Sequence, residues 1–309
     1  MTSFLTLLPQ TLVNGLTLGS VYALIALGYS MVYGILKLLN FAHGDIYMIG
    51  AYLGYGVFLM AFAEQGALIP TAAIILLMLI VAMLGAGVIS IIVERFAYRP
   101  LRNAPRIAPL ISALGVSFIL QNVVQITVSP RPLSYGSGKL IPTSAIFELG
   151  ELRIHASRLL VIGITLVLML ALTYFVRQTR LGRAMRAVAT DIDAAAMMGV
   201  DVNQVIMMTF FIGAVLAGGA GVLVGIVFLS IRHTMGFLAG LKGFTAAVVG
   251  GIGSIPGAAL GGLLLGMAES FTTVYLSATF KDVVAFVLLV LVLLIRPSGL
   301  MGKSLLQKV

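Results

Sequence analysis

Apolar runs long enough to cross a bilayer, which takes about 20 residues, recur along this chain. They lie near residues 11–34, 45–63, 71–93, 108–128, 159–176, 205–229 and 281–296. A glycine-rich stretch from about 240 to 276 supplies one or two more. The pattern predicts an all-α polytopic membrane protein with eight or nine transmembrane helices, some of them broken or re-entrant. Between the fifth and sixth runs sits a polar stretch, 177–203, that opens with Arg177, Arg180, Arg183 and Arg186. A compact helix signal follows: Thr190 as N-cap, Asp193 three residues on, an alanine-methionine run that includes Ala195, and Gly199 as the stop. Asp191 and Asp193 suit the positive end of that helix. It is expected over 191–198, about eight residues or roughly 12 Å. A short capped helix at a membrane surface is a docking element, against which a second rigid body can push.

Two apolar stretches are interrupted in a second way. One break is Leu39-Asn40-Phe41-Ala42-His43-Gly44-Asp45, and the other is Gly250-Gly251-Ile252-Gly253-Ser254-Ile255-Pro256-Gly257. Broken backbone at membrane depth is tolerated only where it is buried in protein or lines a cavity, and such breaks point to transport sites. Each also has a plainer reading: a tight cytoplasmic turn for Asn40 to Asp45, and close small-residue helix packing for Gly250 to Gly257. His43 reads as a substrate or gate contact or as a satisfied structural histidine. Glu269 reads either as an intramembrane carboxylate or as an interfacial residue closing its span. Lys242 and Arg232 read as outer-loop charges, and the 15 methionines as flexible core packing.

Composition narrows the class. The 309 residues are 60% hydrophobic and 9% charged, whereas a soluble domain carries about 25% charged residues. The first ten residues lack a basic n-region and a small-residue cleavage site, so no removable signal peptide is expected. There are no cysteines, which excludes disulfides, thiolate metal sites and cysteine nucleophiles. Basic residues cluster at Arg95, Arg99, Arg102 and Arg106, at Arg177 to Arg186, and at Arg296, Lys303 and Lys308. By the positive-inside rule all three clusters are cytoplasmic. The loop 129–158, with mixed charge (Arg131, Lys139, Glu148, Glu151, Arg153, Arg158), fits the outside. The net charge of +9 is therefore a membrane-topology signature, and no element for reading nucleic acid accompanies it.

Enzymatic chemistry and cofactors are not expected. Pro297 to Ser304 ends in Gly302-Lys303-Ser304 like a phosphate-binding loop, but proline holds the first glycine position and a transmembrane run precedes it. Gly251 and Gly253 open a dinucleotide-like fingerprint, but Pro256 takes the third glycine position and no βαβ unit surrounds it. No metal site is expected either. Glu269, His43 and Asp45 are the ion-coupling candidates of a secondary transporter. A channel reading would rest on Gly250 to Gly257 alone.

Several segments resemble the permease subunits of bacterial ABC importers for branched-chain amino acids. They are NGLTLGSVYALIALGYSMVYGILKLLNFAHGDIYMIGAY (Asn14 to Tyr52), ERFAYRPLR (Glu94 to Arg102), TRLGRAMRAVATDIDAAAMMGVD (Thr179 to Asp201), GFTAAVVGGIGSIPGAALGGLLLGMAES (Gly243 to Ser270) and RPSGLMGK (Arg296 to Lys303). They cover most of the length in order. The resemblance implies one transmembrane permease domain over 1–309 in a bacterial inner membrane. It further implies a second permease subunit, two cytoplasmic ATPases that hydrolyse the ATP, and a periplasmic or lipid-anchored amino-acid-binding protein. The segment 191–198 would be the coupling helix that docks on an ATPase, with anionic lipid as a further partner of the arginines. The substrate expected is leucine, isoleucine or valine, passing Asn40 to Asp45, Gly250 to Gly253 and Glu269; importers with similar permeases take urea, short amides or other amino acids. The spans offer few counter-charges, which places charge selection in the binding protein.

Overall fold

The computed structural model describes residues 2–62, 70–102, 104–105, 107–136, 139–142, 146–149 and 152–302, so Arg106, Glu151, Lys303, Ser304 and Lys308 lie outside the described residues. Helix α1 covers Thr2–Leu36, α2 His43–Ala61, α3 Thr71–Val93 and α4 Ile107–Thr127. Strands β1 (Leu133–Ser134), β2 (Ile146–Leu149) and β3 (Leu152–His155) follow. The chain continues through α5 (Ala156–Gln178), α6 (Arg180–Thr190), α7 (Ile192–Met197), α8 (Val202–Phe228), β4 (Ser230–Ile231), α9 (Met235–Gly250), α10 (Ile255–Tyr275) and α11 (Lys281–Ile295). Eight helices among the described residues are long and apolar enough to cross a membrane, and α9 is a ninth, shorter apolar helix. The glycine-rich region from 240 to 276 thus yields one short helix and one full span.

Small residues set the packing. Without a hydrophobic drive between helices in lipid, close backbone approach supplies the contact. In α1, Gly15 meets Met267 and Ser270 of α10, and Gly19 meets Leu263. On α2, Gly50 lies against Gly218 of α8, whose other side faces Ala82 and Ala86 of α3. A side chain at Gly19, Gly50 or Gly218 would collide with backbone, and one at Gly15 would meet the Met267 sulfur. The central helices α1 and α8 are therefore the most enclosed spans, 83% and 78% buried, against 6% for the span ending in α11.

Arg95, Arg99, Arg102 and the arginines from Arg177 to Arg186 gather on one face. Helix α3 runs on through a π-helical turn, Glu94–Tyr98, into Arg99–Leu101, where Arg102 pairs with Glu94 and donates to Asn203 Oδ1 at 2.7 Å. Asn203 lies in the first turn of α8, so the ends of α3 and α5 and the start of α8 share this face with α6 and α7. The opposite, strand face carries β1 paired antiparallel with β4, and the β2–β3 hairpin. Tyr135 pins the first pair to the bundle: its hydroxyl donates to Ala51 O at 2.5 Å and its ring stacks on Phe58. Gly54 and Gly225 make room for it. Burial pushes the Tyr135 phenol up from its ordinary range, so it stays protonated and keeps donating.

The first sequence break falls inside the bundle, and the second lies at its edge, with Gly253 and Pro256 exposed. Gly28, eight residues before the end of α1, lies against the His43 ring at the start of α2. Because α1 continues to Leu36, α2 begins roughly 12 Å short of the end of α1, at about 1.5 Å per residue. Residues 37–42 climb back that distance without helix, so the first break is no tight turn at the surface. At the second break, α9 ends at Gly250, and Gly251 and Gly253 take positive φ of 108° and 88°. Ser254 restarts the helix, accepting from the Gly257 amide at 3.2 Å, with proline in the first turn of α10. Gly250 and Gly257 touch directly, and Gly302 lies against Gly251. The PSGLMG segment packs here, its Leu300 and Met301 amides donating to Val249 O and Gly250 O at 3.0 and 2.9 Å.

Candidate functional site

The basic face carries a rigid elbow. Helix α6 is capped by Thr179, whose hydroxyl accepts from the Gly182 amide at 3.0 Å. Its Met185 and Val188 are buried, while Arg180, Arg183 and Arg186 are exposed. Apolar Leu181, Met185 and Val188 recur at helical spacing, and that signal, overlooked beside the arginines, marks α6 in the sequence. Thr190 does not cap the next helix. It is the last residue of α6, and its hydroxyl donates to Arg186 O at 2.9 Å. The cap of α7 is Asp191, at φ −155°, which accepts from the Ala194 amide at 2.9 Å. An extended residue between two helices can supply its own carboxylate as cap, which is why one position shifts. The helix is correspondingly shorter than expected, six residues over Ile192–Met197, with Asp193 in its first turn.

Gly199 ends α7 as the sequence indicates. At φ +82°, it donates to Ala196 O at 3.0 Å while Val200 donates to Ala195 O at 3.1 Å, the paired bonds of a Schellman stop. Asp201 then caps α8 on the Gln204 amide. Ala195 is the buried residue of α7, while Met197 and Met198 are 82% and 85% exposed. Behind the elbow, Arg186 donates to Val176 O. Met185 and Arg186 border a small cavity of about 90 Å³ whose far wall is Ser30, Gly34, Gly253 and Ile255. The elbow therefore abuts the second break.

The residues of the first break form one buried cluster. Asn40 Oδ1 accepts from the Tyr98 hydroxyl at 2.7 Å, and Tyr98 packs on Phe210 with ring centroids 5.3 Å apart. His43 is 2% exposed and meets Tyr29 edge to face at 4.7 Å. Gly44 backs onto Gly236 and Gly240 of α9. Asp45 is fully buried, accepts from Ser117 Oγ of α4 at 2.5 Å, and has its other oxygen beside Gly236 in the first turn of α9. Among the described residues no cation pairs with Asp45.

Glu269 and Lys242 belong to a different cluster. Glu269 is buried within the bundle, 2% exposed. Lys242, expected in the outer loop, is buried on α9 instead. Its ammonium lies 2.7 Å from Glu269 Oε1 and 2.7 Å from Asp282 Oδ1 at the start of α11. Tyr22 of α1 donates to Glu269 Oε2 at 2.9 Å. The lysine is held because a charge in a low-dielectric interior must be paired, and it ties together four helices. The interior therefore holds more charge than expected, although its lysine is already neutralised. Gly250, Gly251 and Gly253 meet neither cluster directly; Gly253 reaches the first through α1, where its amide donates to Ser30 Oγ at 2.8 Å, two residues from Gly28. No group of three or more His, Asp or Glu able to hold a metal occurs among the described residues.

Comparison with known proteins fits this architecture. The profile of the family described as "Branched-chain amino acid transport system / permease component" matches residues 11–293. The chain is 46% identical over 306 residues, 97% of each chain, to the high-affinity branched-chain amino acid transport system permease protein LivH of Salmonella typhimurium. It is 45% identical, again over 97% of each, to the permease protein BraD of Pseudomonas aeruginosa. A probable LivH of Methanocaldococcus jannaschii is 26% identical over 90% of this chain and 88% of that protein. With its multi-pass helical bundle and this full-length likeness, the chain belongs to the permease components of branched-chain amino acid transport systems.

Proposed function

We propose that this chain forms half of the membrane pathway of an ABC importer in a bacterial inner membrane, and that it moves leucine, isoleucine and valine inward. The observation that carries the coupling is the α6–α7 elbow, capped at Thr179, Asp191 and Asp201 and stopped at Gly199, with Met197 and Met198 projecting. Two exposed methionines at the end of a six-residue helix are a poor surface for water and a good one for an apolar groove on a partner. In this reading α7 is the coupling helix, Arg183 and Arg186 flank the docked ATPase, and the basic face is cytoplasmic. ATP is hydrolysed by two partner subunits. A second permease completes the cavity, and a binding protein delivers substrate to the strand face.

Movement of the elbow is passed inward by closing the small cavity that Arg186 and Met185 share with Ser30 and Gly253, where α1 holds both breaks. Asn40, His43, Gly44 and Asp45, with Gly250, Gly251 and Gly253, are then hinge and pathway positions, and Glu269 with Lys242 anchors α9 while they move. The test is leucine uptake into proteoliposomes. The complete complex with binding protein and ATP should accumulate leucine, and this chain without ATPase should not. ATP-independent uptake by the chain alone would identify a secondary carrier.

A further inference from the structure

A cavity of about 320 Å³ lies at the strand face, between the start of α5, the end of α8, Gly136 and residues 140–142. That is the lower end of the range for small-molecule sites, roughly 300–1,000 Å³. Its apolar walls come from Leu140 and Ile141 on one side and Ile226 and Val227 on another. The polar wall contains Arg158, in the first turn of α5. Arg158 is half-buried and donates to Asn14 Oδ1 of α1, which also accepts from Gln10. Among the described residues no carboxylate pairs with Arg158. A guanidinium carries five N–H donors, so one bond to an amide leaves it equipped for an anion.

The two helix ends add a second polarity. The residue capping α5, His155, makes no side-chain bond to the first turn, so the start of a 23-residue helix presents uncompensated amides there. Opposite lies the last turn of α8, whose terminal carbonyls carry the negative end of a 27-residue helix. The cavity is thus positive on one wall, negative on another and apolar between. In membrane carriers helix ends also hold charged substrate groups, there on broken helices near the bilayer midplane.

We propose that this cavity is an entry subsite for the transported amino acid. The α-carboxylate sits on Arg158 and the start of α5, the α-ammonium on the terminal carbonyls of α8, and the branched chain against Ile226 and Leu140. The assignment rests on the substrate class proposed above, and it places a charge-selective step in the permease itself.

Photo-leucine, which keeps both charged groups and bears its reactive diazirine on the aliphatic chain, tests this in the complete importer complex. Label should map to peptides containing Leu140 or Ile226, and excess leucine should displace it while leucinol, lacking the carboxylate, should not. Losing a charge-assisted contact makes Arg158→Ala label and transport about tenfold less. Ile226→Trp, which fills the cavity from its apolar side, should do the same and carries the test if the arginine variant fails to assemble. Leucine uptake that proceeds normally in both assembled variants, with no label at the cavity, overturns the subsite alone. So does a phospholipid that co-purifies with the native chain and is lost from Arg158→Ala while leucine labelling stays unchanged. A native complex that takes up no leucine overturns the substrate reading beneath it.

Discussion

Ser30 and Gly253 join the two broken segments of this bundle: the Ser30 hydroxyl accepts from the Gly253 amide at 2.8 Å, and two residues earlier on α1 Gly28 receives the His43 ring. One short length of α1 therefore holds the start of α2 and the start of α10 together. Ser30→Ala removes the acceptor of the Gly253 amide, an exposed residue, and costs about 0.5–1.5 kcal/mol. Thermal unfolding of the purified chain should show that loss, and uptake by the complex should fall further than folding alone explains. Unchanged uptake in a destabilised variant would reduce the contact to a structural one.

Gly28 gives a sharper packing test. A side chain there runs into the His43 ring and Gly213 O, and overpacking costs about 1–3 kcal/mol or more. Gly28→Val is expected to lower thermal stability, and His43→Ala in the same chain should recover only part of it, because the contact with Gly213 O remains. Gly56, where added atoms meet nothing within 4 Å, is the control, and Gly56→Ala should be silent.

The Lys242 cluster predicts non-additivity. Lys242→Met leaves the buried Glu269 carboxylate without its cation, a loss of about 3–5 kcal/mol. Adding Glu269→Gln removes the orphaned charge and should restore much of the stability. A double-mutant cycle on unfolding free energy measures the coupling, and strictly additive losses would show that the 2.7 Å pair contributes nothing specific.

Caps distinguish the two accounts of α7. With Asp191 as the cap, Asp191→Ala should cost about 1 kcal/mol, and Thr190→Ala should cost less, since its hydroxyl only returns to Arg186 O. Gly199→Ala should also destabilise, by strain at φ +82° and not by collision, because open space surrounds that position. Amide hydrogen exchange across 186–201 reports each.

Much of this arrangement is legible in the sequence because the bilayer forces it. Apolar length alone places the spans; the polar residues Asn40, His43 and Asp45 mark the first break, and glycine with proline marks the second. The stop at Gly199 is legible because only a left-handed turn explains a glycine there. Lys242 was misread because a lone charge in a glycine-rich run looks like a loop, and its partners Glu269 and Asp282 lie on later helices with no local spacing to announce them. The cap at Asp191 was misplaced because Thr190 and Asp191 are both good caps, and only the end of α6 decides between them. The roles of Asn40 to Asp45 are not written locally at all, because their burial depends on α4 and α9 closing over them.

The central claim, that α7 is where ATP-driven motion enters this chain, is tested most directly by Met197→Glu with Met198→Glu. Both side chains are exposed, so folding of the permease should be unaffected. Leucine uptake by the reconstituted complex should be lost, and ATPase subunits should no longer co-purify with this chain. Full ATP-driven uptake with both charges in place would contradict the account.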